Sequence, residues 1–400
     1  MRLKSMWALG ILAAIGSLGV ILHSSRMRSG VAALASESAG SAVPWGPLAG
    51  RNYYVSPSGR DDQDGSAARP WATLQFAATK AGLGATVHVL PGLYRGPVRT
   101  QRSGEGHARI RFLSEKQWQA RIIAIGEPIV WRNDGNYVDI AGFDISGDGA
   151  QGILNMGSNV RIVGNHVHDI PAAGCTPAGG AGIDNGSESG HDNDIIGNVV
   201  NRIGDPVREC TRVHGIYHAN FGGHIWNNIS CDNQGWGIHL WHEPQSVVIA
   251  NNLICRNHHG GIVIGAGDSP NALPADHMLV TNNILFGNGP AGSEYAIYES
   301  GLLGDDNHYL NNLVFGREQR IILQNGNQIS GTIWKDPLLV NYKGDDPADF
   351  RLSPGSPAIG AGTNSGAPPM AMDGGARPVD GRWDIGPYQY QSHGKPWPWY

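Results

Sequence analysis

The chain has 400 residues, 58 of them glycine, and a formal net charge of −5. This acidic balance supplies no basic surface for nucleic acid. There is no G-x-x-x-x-G-K-[ST] loop and no strand–GxGxxG–helix unit, so nucleotide binding is not indicated either.

At the N-terminus Arg2 and Lys4 precede an apolar stretch from Met6 to Leu22. Its length suits a secretory core or a short membrane span. Ala33-Leu34-Ala35 offers a cleavage site, with Arg26 and Arg28 intervening. Residues 1–35 therefore read as a signal peptide or an uncleaved anchor. Either places the body outside the cytoplasm, secreted or periplasmic, with residues 6–22 as the only membrane contact. Residues 36–51 are small and polar, as in a linker.

Residues 52–108 are expected to form an N-terminal cap and first coil. NYYVS opens as a strand. Leu74, Ala77, Ala78 and Ala81 share one helical face, with Pro70 and Trp71 at its start. A short amphipathic helix of this kind can cover the open end of a stacked core. The loop Asp61-Asp62-Gln63-Asp64-Gly65 could hold Ca²⁺, but no carboxylate follows at calcium-loop spacing, so a solvated turn is expected and no cofactor is required.

Residues 109–335 are expected to form the coils, and between Ile162 and Phe315 one phrase recurs six times: IVGNHV, IIGNVV, IWNNIS, VIANNLI, LVTNNIL and YLNNLVF. The aligned asparagines are Asn165, Asn198, Asn228, Asn252, Asn283 and Asn312, at spacings of 33, 30, 24, 31 and 29 residues. Such periods mark stacked units that cannot bury their apolar faces alone. Val/Ile runs of strand length without helical periodicity make the units β. The expected fold is an all-β, right-handed parallel β-helix (a solenoid) of about eight to ten coils. Its asparagines should stack and hydrogen-bond from coil to coil.

A second phrase alternates with the first: AGIDNG, HGIYHAN, WGIHLWH, GGIVIGA and YAIYESG. If Ile183, Ile216, Ile238, Ile262 and Ile297 point inward, period-two alternation turns Asp184, Tyr217, His239, Val263 and Tyr298 outward. A next outward column reads Gly186, Ala219, Trp241, Gly265 and Ser300. Seven histidines lie between His214 and His259, with Trp226, Trp236 and Trp241 in the same stretch. Aromatic faces stack on sugar rings, and histidine transfers protons near neutral pH. The same residues could instead stack on one another and merely rigidify the face.

Of the four cysteines, Cys175 and Cys210 should occupy matching loops of adjacent coils and bridge. Cys231 and Cys255 each follow a ladder asparagine by three residues and should stack, as thiols or as a second disulfide. Residues 336–400 change grammar and read as a closing segment.

YYVSPSGRDDQDGSAARPWATLQFAATKAGLGATVHVLPGLYRG resembles the N-terminal cap of exported bacterial β-helix proteins of the pectate-lyase-like superfamily. KDPLLV, DFRLSPGSPAIGAG and DIGPYQ resemble the segment that closes them. With the asparagine repeats, the resemblance covers nearly all of residues 52–390. It implies the fold and a polysaccharide partner. It leaves the reaction open, because members include lyases, hydrolases, uronate epimerases and non-catalytic proteins.

A uronate lyase needs a group that neutralises the carboxylate, a base for the C5 proton and an acid for the leaving oxygen. Arg208, Arg212 or Asn185 suits the first role, His239 or His214 the second and Tyr217 the third. Trp236, Trp241, His242, Glu243 and Tyr298 would bind substrate. No lysine lies between Lys116 and Lys335, which removes a lysine base from the central coils. An epimerase begins with the same proton abstraction. GIHLWHEP resembles loosely the Asp/His layout of uronan C5-epimerases on this fold, with Asp184 two coils away. A hydrolase would draw two carboxylates from Asp184, Glu188, Asp205, Glu209 and Glu243. A metal site from His214, His218, His239 and His242 is weaker, since strand parity sets His239 and His242 on opposite faces. The non-enzymatic alternative is a monomeric polysaccharide-binding or structural surface protein.

Overall fold

The computed structural model describes residues 50–172, 179–187, 189–205, 210–289, 294–342, 349–379 and 381–391. Over them the chain winds as a right-handed parallel β-helix. Three parallel sheets of 11, 9 and 10 strands run along the solenoid, with one short antiparallel pair, Leu339–Asn341 with Asp349–Leu352. Each coil gives one strand to each sheet in turn, as Arg161–Val163, His166–Ile170 and Gly180–Asn185 do.

Inward columns of β-branched residues build the core. Ile162, Ile195, Ile225 and Ile249 stack in register in the eleven-stranded sheet. Ile183, Ile216, Ile238, Ile262 and Ile297 stack in the nine-stranded sheet. All are essentially fully buried, which is worth about 2–3 kcal/mol per side chain. Branched side chains suit these positions because they pack against identical neighbours about 4.8 Å away on the next coil.

From Asn165 to Asn312, each coil turns between the first two strands at a left-handed residue followed by a buried asparagine. Gly164 and Gly197 have φ of 61° and 65°, and Asn227, Asn251, Asn282 and Asn311 lie between 50° and 56°. Glycine and asparagine are the residues that reach this region most readily. The next residue is the ladder asparagine. Asn252 Oδ1 accepts from the backbone N–H and Nδ2 of Asn228, at 2.8 and 3.0 Å, and Asn252 Nδ2 donates to Asn283 Oδ1 at 2.9 Å and to Ile225 O at 2.8 Å. The pattern runs from Asn165 to Asn312. Two more inner ladders occur, Asn233–Asn257–Asn288 and Asn133–Asn155–Asn185–His218.

The helix Leu74–Lys80 caps the first coils, burying Leu74, Ala77 and Ala78, and Thr73 caps its N-terminus by accepting from Phe76 N–H. Ala81 is buried beside them. The acidic loop fixes the start of this helix. Asp61 accepts from the Ala72 and Thr73 N–H groups and the Thr73 hydroxyl, while Asp62 and Asp64 pair with Arg60 and Arg69.

The tail packs along the side of the coils. The outward asparagines receive it: Asn227 Nδ2 donates to Met370 O, Asn251 Nδ2 to Asp384 O and Asn282 Nδ2 to Thr363 O. Beneath the tail, Cys231 and Cys255 form a buried disulfide. Cys210 is disulfide-bonded too; its expected partner, Cys175, lies outside the described residues, as do residues 1–49. Disulfides of this kind belong to an oxidising compartment. Among the described residues no helix is long and apolar enough to cross a membrane.

Candidate functional site

The outward column of the nine-stranded sheet is in register, Asp184 with Tyr217, Tyr217 with His239, His239 with Val263 and Val263 with Tyr298. A second column, Gln151, Ala181 and His214, and further along Trp236, Gly260 and Tyr295, runs beside it. Strict alternation would turn His214 and Trp236 into the core. They face the cleft because two successive residues point inward. A Cβ on Gly182 would sit 2.4 Å from Val200 Cγ1, one on Gly215 2.2 Å from Ser230 Oγ and one on Gly237 2.5 Å from Ile254 Cγ2, all atoms of the solenoid interior. The recurring Gly-Ile pair is thus what frees the preceding side chain to face outward.

Two further glycines seat the tryptophans. A Cβ on Gly260 would lie 2.1 Å from the Trp236 indole, and one on Gly265 2.2 Å from that of Trp241. Trp236 lies nearly parallel to Tyr298, and Tyr298 stacks on Tyr295 at 4.6 Å. Trp236, Trp241 and Tyr298 line a cleft of about 830 Å³ together with Gln151, Asp184, Arg212, His214, Tyr217, His239, His242, His259 and Asp268.

On the cleft floor His239 Nδ1 lies 2.7 Å from His214 Nε2, with the rings edge to face at 4.1 Å. Tyr217 packs edge to face on His239, at 5.3 Å. Burial disfavours the imidazolium at both histidines. It holds His214 well below its ordinary range, helped by His239 and His259. It takes His239 down to about 3, helped by His242 and His259. Both rings are therefore neutral at pH 7, and the short N···N contact is a single N–H···N bond. Asp184 is pushed the other way, up to about 7, because burial outweighs the 2.5 Å hydrogen bond from Gln151 Nε2. Its other oxygen is buried with no hydrogen-bond partner. At the rim His242 Nδ1 pairs with Asp268 Oδ2 at 2.5 Å, and Arg212 is exposed.

Of the residues singled out in the sequence, Asp184, Arg212, His214, Tyr217, Trp236, His239, Trp241, His242 and Tyr298 meet in this cleft. Asn185 does not. It is fully buried in an inner ladder, bonded to Asn155 and His218, and can touch no substrate. Glu243 lies in the following turn and does not line the cleft. Arg208 lies outside the described residues. The four-histidine metal site fails because His218 is inside the solenoid, bonded to Asn185 and Gly222 O. His239 and His242 nevertheless share the cleft, because the strand Trp236–Leu240 ends first and His242 takes a left-handed φ of 71°. Gln151, His259 and Asp268 are additions that no repeat phrase carried. Asp268 sits in a loop, and Gln151 precedes the repeat.

No family model matches the chain. The uncharacterized protein YwoF of Bacillus subtilis (strain 168) is 27% identical over 139 residues, 30% of this chain and 29% of that protein. The chain thus spans less than a third of the curated relative it matches. Among solved structures, pectate lyase Pel9A superposes with a TM-score of 0.61 at 17% identity, covering 85% of this chain and 96% of that one. A lacto-N-biosidase from Eubacterium ramulus gives 0.49 at 12% identity, over 71% and 68%. The likeness to Pel9A is one of fold. The chain shares the parallel β-helix fold of that structure.

Proposed function

We propose that the cleft is the active site of an extracytoplasmic enzyme acting on an acidic polysaccharide, a lyase or a C5-epimerase that begins by taking the proton beside a uronate carboxylate. The observation that carries this reading is the pairing of a neutral His214–His239 couple with a carboxyl group that retains its proton near neutrality, Asp184, in one aromatic-lined groove. The uronate carboxylate would accept a hydrogen bond from protonated Asp184 and face the charge of Arg212, which stabilises the negative charge that develops when C5 loses its proton. His239 would take that proton. A bound uronate brings the negative charge that the cleft floor lacks, and so raises the basicity of the imidazole. Tyr217, in contact with His239, would protonate the leaving oxygen in a lyase or the opposite ring face in an epimerase. Trp241, Trp236 and Tyr298 offer stacking faces to successive sugars.

One observation favours a second reading. A carboxyl raised to about 7 suits the general acid of a glycoside hydrolase, with Asp268 as the second carboxylate of the cleft. Incubation with uronic-acid and neutral polysaccharides separates the two, following chain length together with the ultraviolet absorbance of unsaturated uronates. Absorbance rising as chains shorten supports the lyase. Inversion at C5 by NMR without shortening supports the epimerase. Shortening without absorbance moves the assignment to hydrolysis. Binding with no product leaves the groove a polysaccharide-binding surface.

A further inference from the structure

On the outer face of the ten-stranded sheet, Asp144, His166 and His168 converge. The strand Asp144–Gly147 pairs with His166–Ile170 so that Asp144 and His166 are direct neighbours, and His168 stands two residues on along the same outward face. Both imidazoles point at one oxygen. His166 Nδ1 lies 3.2 Å and His168 Nε2 3.0 Å from Asp144 Oδ2. All three ligand atoms lie within 4.8 Å of one another, and among the described residues no other such group of histidine, cysteine and carboxylate side chains occurs.

We propose that Asp144, His166 and His168 form a binding site for a divalent first-row transition ion of the zinc class. Around an ion with bonds of about 2.0 Å, neighbouring ligand atoms stand about 2.8 Å apart in octahedral and about 3.3 Å apart in tetrahedral geometry. The measured 3.2 and 3.0 Å fall within that range. The donor set of two imidazoles and one carboxylate suits Zn²⁺, Co²⁺ or Fe²⁺ and is wrong for Ca²⁺, which takes oxygen ligands. The three side chains are 21%, 16% and 17% exposed for His166, His168 and Asp144, so water can complete the shell.

The outer partners are those a metal-bound histidine requires. A ligating imidazole offers one nitrogen to the ion and donates from the other to a carboxylate or amide oxygen. His166 Nε2 lies 3.0 Å from Asn201 Oδ1. His168 Nδ1 lies 2.7 Å from Asp169 Oδ2, and Asp169 is held in turn by Arg202 at 2.6 and 3.0 Å. All four ring nitrogens therefore face acceptor oxygens. A plain ion-pair cluster looks different. At Asp306 the two histidines use different oxygens, His277 on Oδ2 and His308 on Oδ1.

The test is calorimetric titration of the full chain, stripped with EDTA, with Zn²⁺, and in parallel the visible spectrum of bound Co²⁺. One equivalent should bind in the wild type. His168→Gln and Asp144→Asn should lose it, while the cleft variant His242→Gln keeps it. Asp169→Asn, which leaves all three ligands in place, should weaken binding about tenfold to a hundredfold. Circular dichroism and melting of the stripped variants check folding. If His168→Gln and Asp144→Asn do not fold, Asp169→Asn decides alone. Unchanged uptake in the folded ligand variants, unchanged affinity in Asp169→Asn, or no uptake by folded wild type would overturn the assignment.

Discussion

Replacing Asp184 by asparagine changes the charge of the cleft while keeping its shape. Asp184 moves from an ordinary value of 3.8 in the unfolded chain to about 7 in the fold. The native state therefore holds its proton through a window in which the unfolded state releases it. Native stability must fall as pH rises from about 4 to about 7, and level off once both states are ionised. At about 1.36 kcal/mol per pH unit the full loss is about 4 kcal/mol, an upper figure because water and side chains relax around a buried charge. The amide introduced by Asp184→Asn carries no charge at any pH, and its oxygen would still accept the Gln151 N–H, so the variant should lack this slope. Urea midpoints of wild type and D184N, measured at about pH 5, 6, 7 and 8.5, read it directly. The variant should be nearly as stable as wild type at about pH 5 and more stable at about pH 8.5 by about 1–4 kcal/mol. Parallel profiles would refute the reasoning, since they would mean that Asp184 titrates alike in both states.

His239→Ala and Tyr217→Phe should abolish turnover with little change in melting temperature, and equal activity in both variants would remove these residues from the chemistry. Asn252→Ala should cost about 2–4 kcal/mol in urea unfolding, because it removes the acceptor of the buried Asn228 N–H and of Asn228 Nδ2 and the side-chain donor to Ile225 O and Asn283 Oδ1. Gly215→Ala should destabilise by about 1–3 kcal/mol, its Cβ colliding with Ser230 Oγ. Replacing Cys231 and Cys255 together by serine should lower stability by about 2–4 kcal/mol, with a loop of 24 residues released; an unchanged melting temperature would show the bridge to be dispensable.

The fold was legible because a solenoid writes each coil's needs into the sequence once per turn. The Asn165-to-Asn312 column, the inward isoleucines and the left-handed residue before each ladder asparagine answer to nearest-neighbour physics that repeats along the chain. The outward row Asp184–Tyr217–His239–Val263–Tyr298 was legible for the same reason, since it follows from period two and the isoleucine register. Other features depend on atoms that meet only when coils stack. His214 and Trp236 face the cleft because the glycines after them must point into a core whose occupants, Ser230 and Ile254, lie on another sheet. Asn185 and His218 share strands with cleft residues, yet end inside the solenoid, where an inner ladder satisfies them. His242 joins the cleft through a turn that strand parity does not register. Asp268, and the convergence of two imidazoles on a single oxygen of Asp144, carry no periodic mark at all. Repetition makes backbone course and side-chain facing a local property of the sequence, whereas the protonation of Asp184 and the partners of each histidine are set by burial and distance across coils, which exist only in the folded chain.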